Sequence, residues 1–199
     1  MSEIHETIEK AHEGAHDEFF NKRIALLIAV LALFLSFSET LGKSAQTEAI
    51  SANVETSDLW AFFQAKSIRK TQVDTAAEEM KVAADAADPA AKAAMQKQID
   101  SWKEIAARYD SEPSTGEGRK ELADRAKEAE EKRNLAMAKY HHYELASAAF
   151  QVGIVLASGA VITGMVGLAW FGGLLGIAGV ALALLGLFAP HAVPFLATL

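Results

Sequence analysis

The residue pattern with the clearest chemical potential is His12-Glu13-Gly14-Ala15-His16, which matches the zinc-binding motif HExxH. On a helix the two histidines lie one turn apart, so they can hold zinc together while the glutamate acts as a base. The motif needs a third protein ligand and a packed scaffold, whereas this segment is short, polar and rich in His and acidic residues. We therefore predict no catalytic residue, no cofactor and no metal site. A membrane-anchored zinc hydrolase remains the alternative.

Other polar groups lie beside apolar stretches of the chain. Glu39 is near the far end of the first apolar run, and a carboxylate within a membrane is a candidate functional group. Its shallow position predicts a structural role at the interface instead. His141 and His142 are adjacent, so on a helix they point about 100° apart and cannot easily share a metal ion. With Tyr140 and Tyr143 they are typical of a boundary just above a membrane.

The element that organises the chain is its last stretch, residues 145–199, which contains no Asp, Glu, Lys or Arg although the whole chain is 23% charged. A helix of roughly 20 apolar residues crosses the hydrocarbon core of a bilayer. The stretch therefore predicts a transmembrane helical hairpin. We expect its helices to cover residues 146–169 and 174–188, with the break at Trp170-Phe-Gly-Gly173.

Small residues recur in both predicted hairpin helices at steps of three and four. This spacing places them on one face of each helix, where the absence of large side chains lets two backbones approach closely in lipid. The alternative is that membrane helices are simply rich in Gly and Ala. The glycines predicted to form packing or oligomer contacts are Gly153, Gly164, Gly172, Gly176 and Gly179. Ser147, Ser158 and Gly159 are expected to offer further surface to another chain.

A first membrane helix is predicted by the apolar run from Ile24 to Phe37, extended through Leu41. Lys22 and Arg23 precede this run, an arrangement suited to the boundary between water and lipid. More basic residues precede the second span than the first, which favours a cytoplasmic location for the region between them. The alternative for the first run is a buried core helix.

The region between the first two spans, residues 43–144, is rich in alanine and in charges of both signs. It has almost no β-branched runs, so strands are not expected. Asp88-Pro89 is a good helix start, because Asp caps and Pro fits the first helical position. Residues 111–118 contain Pro and two Gly and predict a turn. We therefore expect three helices, over about 44–87, from 89, and from about 119.

The first helix of this region carries three large aromatic residues, Trp60, Phe62 and Phe63, which point in several directions around it. Elsewhere its apolar seam consists mostly of alanines, which bury little area at roughly 25 cal/mol per Å². A lone three-helix unit would therefore gain little stability. We predict that these aromatics take part in packing or oligomer contacts and that the protein is a homo-oligomer.

The predicted fold is an all-α membrane protein with three transmembrane helices and a coiled-coil-like helical stalk inserted between the first and second. Its segments are a polar His- and acid-rich tail (1–21), transmembrane helix 1 (22–42), the extramembrane stalk (43–144), the transmembrane hairpin (145–189) and a short apolar tail (190–199). The chain has no cysteine, which excludes disulfides and thiolate metal sites. Its formal charge of −7 argues against a nucleic-acid partner.

One part of the stalk is also recognisable as a sequence. The segments Gly42–Glu48 and Leu59–Lys66, followed by Ile68-Arg69, resemble the domain of unknown function 4337 family of uncharacterised small bacterial membrane proteins. The resemblance implies a bacterial integral membrane protein, and it implies no reaction. Together with the three predicted spans, it leads us to expect a multi-pass protein of the bacterial inner membrane with lipid as a partner. We predict a membrane-anchored helical scaffold that self-associates, whose stalk partner the sequence does not identify. A small pore or transporter subunit is a further alternative.

Overall fold

The computed structural model describes residues 2–192, with side chains described from Phe20 onward. Over this part the chain is helical and contains no strand. It forms four helices: α1 (Ser2–Asp85), α2 (Pro89–Asp110), α3 (Arg119–Thr163) and α4 (Val166–Phe188). Three of them, α1 from Phe20, α3 and α4, are long and apolar enough to cross a membrane. The predicted all-α class is therefore confirmed, with three candidate spans.

Two of the predicted boundaries lie where the sequence placed them. Asp88 caps α2, and its carboxylate accepts hydrogen bonds from the backbone N–H groups of Ala90 and Ala91 at 3.0 Å each. The turn before α3 contains Gly116, whose φ of +69° belongs to the left-handed region that favours glycine. Both features depend on local chemistry, which the sequence shows directly.

Helices α1 and α3 also continue without a break where the apolar and polar stretches meet. α1 passes through Gly42, because a single helical glycine costs only about 1 kcal/mol relative to alanine. The missing side chain leaves room for α3, since a Cβ at Gly42 would lie 3.4 Å from the Cβ of Tyr143.

The predicted break of the hairpin at Trp170–Gly173 is wrong. α4 passes through this segment, and the turn lies instead at Gly164 and Met165. Gly164 adopts a φ of +70°, and the hydroxyl of Thr163 accepts a hydrogen bond from the N–H of Met165 at 3.3 Å. In apolar surroundings broken helical hydrogen bonds are costly, so Gly172 and Gly173 remain helical where no polar cap is at hand.

The chain divides into two compact units. The first, which we call the apolar bundle, comprises residues 1–48 and 134–199. In its core Ile24 packs with Ala157 and Ala160, while Leu31 packs with Ala146 and Phe150.

The second unit, which we call the polar unit, comprises residues 49–133. Its core cluster consists of Leu59, Leu122, Ala126 and Ala129. The alanine-rich seam predicted for α1 is confirmed here, because Ala49, Ala52, Thr56 and Leu59 are buried. In α2, Ile99 and Ala106 are buried.

Candidate functional site

Two of the predicted glycines, Gly153 of α3 and Gly172 of α4, bring the backbones of their helices close together. A Cβ built on Gly153 would lie 2.9 Å from the carbonyl oxygen of Gly172. A Cβ on Gly172 would lie 2.7 Å from the carbonyl oxygen of Gly153. Real Cβ atoms do not approach a carbonyl oxygen so closely, so both positions require glycine while the helices keep this distance.

Gly176 and Gly179 also face side chains of the same chain. A Cβ on Gly176 would lie 2.5 Å from Cδ2 of Leu31, and one on Gly179 would lie 2.8 Å from Cε1 of Phe150. The three predicted glycines of α4 therefore form the seam between α4 and the other two helices of the bundle. Their contacts are already made within one chain.

Gly164 is not part of that seam. It lies in the α3–α4 turn, and no atom lies within 4 Å of a Cβ built on it. Two of the other small residues also contact their own chain: Ser158 donates to the Ile154 carbonyl at 2.8 Å, and a Cβ on Gly159 would lie 3.7 Å from Leu168. The spacing of small residues in the sequence could not distinguish a glycine of the turn, such as Gly164, from a glycine on a helix face.

An apolar groove, which we call the α1–α4 groove, remains open on the bundle. It consists of two cavities of about 550 Å³ and 390 Å³, which share Leu27, Gly173 and Ile177. No atom lies within 4 Å of a Cβ built on Gly173. Gly173 is therefore a helical glycine whose missing side chain leaves space that no described residue fills.

Large apolar side chains line this groove and extend into the surroundings. Phe34 is 41% exposed, Trp170 72% and Ile177 70%. Exposed apolar surface of this extent needs a covering in water. Lipid or another apolar helix can provide that covering.

A second cavity lies between α1 and α3, beside the point where α3 passes from its charged to its uncharged part. We call this cavity of about 470 Å³ the boundary notch; its polar lining includes Ser38, Glu39, Lys43, Tyr140, Glu144, Ser147 and Gln151. Beside it the buried Ser38 hydroxyl donates to the carbonyl oxygen of Tyr143 at 3.0 Å. The amide of Gln151 donates to Glu39 Oε1 at 3.3 Å. Both bonds connect α1 to α3, which supports the structural role predicted for Glu39.

The paired histidines differ in their surroundings. His142 is fully buried, with Nδ1 2.8 Å from the carbonyl oxygen of Ala138, and its Nε2 has no partner among the described residues. Its Cβ lies 2.9 Å from a Cβ built on Gly186 of α4. His141 instead has its Nδ1 3.7 Å from Glu144 Oε2. The structure thus places His142 inside the bundle and not at its surface, because α4 covers that face of α3.

The three aromatic candidates of the polar unit also differ in their surroundings. Trp60 and Phe63 meet edge to face, with ring centroids 5.4 Å apart, and both pack against the core cluster of this unit. The indole N–H of Trp60 donates to Glu130 Oε1 at 3.4 Å. Phe62 lies outside this cluster and is 37% exposed. Two of the three aromatics are therefore core residues of a single chain.

The polar unit also buries a lysine that was not among the predicted residues. Lys66 is only 7% exposed, and its Nζ lies 5.3 Å from the ring centroid of Phe62 and 5.4 Å from that of Tyr109. Glu117 is its ion-pair partner at 3.6 Å. Lys66 follows Leu59 by seven residues, so the periodicity itself places it on the buried face. Its apolar stem can pack there while the rings and Glu117 hold the charge.

The HExxH match lies outside the described residues, which include no side chain before Phe20 and therefore none of His12, Glu13 and His16. Among the side chains of residues 20–192, no group of three or more His, Asp or Glu is placed to hold a metal ion.

These features define a class: an all-helical protein with three candidate membrane spans and a charged helical unit between the first two. The family profile described as Domain of unknown function (DUF4337) matches residues 20–189, and the chain belongs to this family. The search of curated proteins found no match, and neither did the search of solved structures.

Proposed function

We propose that this protein is a membrane-anchored helical scaffold that self-associates through the α1–α4 groove. The groove carries this proposal, because Gly173 at its centre has open space above it while Gly172 and Gly176 are closed by the chain's own helices. In lipid, a surface without side chains allows the close helix approach that drives association.

The length of the groove favours a helix of a second copy as its occupant. Its lining runs on α1 from Phe20 to Phe34, about 21 Å at 1.5 Å per residue, and on α4 from Val166 to Leu184, about 27 Å. The hydrocarbon core is about 30 Å thick. A lipid tail from one leaflet covers about half of that thickness, whereas a transmembrane helix covers all of it.

The location that fits this function is the bacterial inner membrane, with the polar unit on the cytoplasmic side and packed as a coiled-coil-like stalk. The polar unit then presents charged helical surface to a protein partner, and no catalysis is assigned. The alternatives, a zinc hydrolase and a small pore or transporter subunit, gain no support from the contacts of residues 20–192.

Native mass spectrometry in mild detergent and in nanodiscs tests this proposal. The Cβ of Gly173→Leu meets no described atom within 4 Å and the rest of the side chain extends into the groove, so we expect the oligomer to dissociate while the helical content is kept. Gly167→Leu is the matched control, because Gly167 lies on the same helix with equally open space but outside the groove lining. A wild-type protein that is monomeric in both media contradicts self-association. Equal oligomers in both variants contradict the groove as its interface.

A further inference from the structure

The boundary notch contains polar groups that the proposed scaffold does not use. Ser147 lines it and is only 8% exposed, yet its hydroxyl makes no hydrogen bond with any described residue. The hydroxyl itself is not fully enclosed, so it is open to a partner from outside the chain. Since the remaining exposure of Ser147 is toward a cavity, a bound polar group can supply the missing partner.

Two carboxylates, of Glu39 and Glu144, and the ammonium group of Lys43 line the same cavity. Glu39 Oε1 accepts from Gln151 at 3.3 Å, and Glu144 Oε1 accepts from the Tyr140 hydroxyl at 3.3 Å. The Tyr140 hydroxyl keeps its proton at neutral pH, and burial, followed by the charge of Glu144, raises its pKa further. A carboxylate accepts about four hydrogen bonds, so both groups keep capacity for a cationic donor. His141 lies near the second oxygen of Glu144, at 3.7 Å.

The cation on the notch is Lys43, which lies one helical turn beyond Glu39 on α1. Its side chain makes no hydrogen bond or ion pair with the described residues. The notch therefore offers negative charge at Glu39 and Glu144 and positive charge at Lys43. This arrangement complements a ligand that carries an ammonium group and a phosphate on the same molecule.

The position of the notch along α1 and α3 indicates the source of that ligand. Glu39 follows Phe20 by nineteen residues, about 28 Å along the helix, which is close to the thickness of the hydrocarbon core of about 30 Å. On α3, Glu144 is the last charged residue before the uncharged run begins at Leu145. When the apolar bundle spans a bilayer, the notch is thus at the level of the lipid headgroups.

We propose that the boundary notch binds the headgroup of a phospholipid that carries a primary amine. This inference rests on the membrane anchoring in the proposed function. The ammonium group donates to Glu39 and Glu144, while Lys43 pairs with the phosphate and Ser147 donates to a headgroup oxygen. A quaternary amine has no N–H donor for the carboxylates. A glycerol headgroup has no cationic donor, so the two carboxylates would face a lipid of net negative charge and repel it.

Native mass spectrometry of the full chain, titrated with lipids of identical acyl chains, tests the selectivity. The probes are phosphatidylethanolamine, phosphatidylcholine and phosphatidylglycerol. We expect phosphatidylethanolamine to bind about tenfold more tightly than the other two lipids. This ratio corresponds to the free energy of about one charge-assisted hydrogen bond. Glu39→Gln and Glu144→Gln should each remove this preference, and Lys43→Gln should weaken all three lipids. Glu48→Gln, the same change on α1 outside the notch, should leave the preference intact.

Several results overturn the proposal. One is equal affinity of the wild type for the three lipids, and another is an unchanged preference in both glutamate variants with native circular dichroism. If soluble phosphoethanolamine competes at the same concentration as the lipid, the notch binds a free ligand instead. If Glu39→Gln changes the oligomeric mass but not lipid binding, the notch contacts a second copy instead. The same spectra report the oligomer, so an intact oligomer without lipid preference contradicts only this inference. A monomer that keeps the preference contradicts only self-association.

Discussion

Gly153 and Gly172 bring the backbones of α3 and α4 together so closely that a Cβ on either one would meet the other's carbonyl oxygen at 2.9 Å or less. The next residue, Gly173, has open space in the same position. Two adjacent glycines of one helix therefore have opposite surroundings. One holds the hairpin closed, and the other leaves a groove open.

This contrast predicts different effects of the same small substitution. Gly172→Ala should destabilise the apolar bundle by about 1–3 kcal/mol, because α3 and α4 must separate to accommodate the methyl group. Gly173→Ala meets no atom within 4 Å and should be nearly neutral. Unfolding in detergent, followed by circular dichroism, measures the difference. Equal stabilities of the two variants would show that the hairpin does not pack as described.

The aromatic residues of the polar unit predict a second contrast. Trp60→Ala removes a ring packed on the Leu59 and Leu122 cluster and should cost about 2–4 kcal/mol. Phe62→Ala removes a more exposed ring and should cost about 1 kcal/mol or less. Thermal unfolding of both variants gives the comparison. A larger loss for Phe62→Ala, or oligomer dissociation without loss of stability in Trp60→Ala, would assign these side chains to an interface between chains instead.

Acid should weaken the start of α3 in a way that depends on one hydrogen bond. The Ser111 hydroxyl donates to Glu121 Oε1 at 2.6 Å and, together with the backbone N–H of Glu121, lowers the pKa of this carboxyl. Because the folded pKa is the lower one, the stabilisation is present at neutral pH and is lost as the pH falls through that value. Ser111→Ala should therefore lower Tm at pH 7 and lower it less at pH 3. The difference in Tm between wild type and variant, compared at the two pH values, separates the effect of this pair from that of the other carboxylates. A difference that is larger at pH 3 contradicts the role of the Ser111–Glu121 hydrogen bond.

Insertion of all three candidate spans would place the first residues and the polar unit on opposite sides of the membrane. The chain has no native cysteine, so Ser2→Cys and Ser114→Cys each introduce a single site. Ser114 lies in the exposed turn between α2 and α3. A membrane-impermeant thiol reagent applied from one side should label only one of the two variants, with lysed vesicles as the control for reactivity. Labelling of both from the same side would rule out three spans.

The sequence by itself determined the helices and the chemistry of their ends. The Asp88-Pro89 start, the turn over 111–118 and the buried seam from Ala49 to Leu59 depend on capping, glycine conformation and side-chain periodicity. These act between residues close together in the chain, so the sequence shows them directly. The uncharged stretch after Glu144 likewise followed from composition alone.

Only the tertiary structure decided which residues of similar type differ in their surroundings. The hairpin turns at Gly164 and not at Gly173, although both positions offered glycine. Gly172 is closed while its neighbour Gly173 is open, and His142 is buried beside the more accessible His141. Each outcome depends on the azimuth at which one helix approaches another. A rotation of about 100° separates adjacent helical residues, so the helix that packs against them determines their environments. Residues of that helix can be distant in the chain: Ser38 and its partner Tyr143 are more than a hundred positions apart.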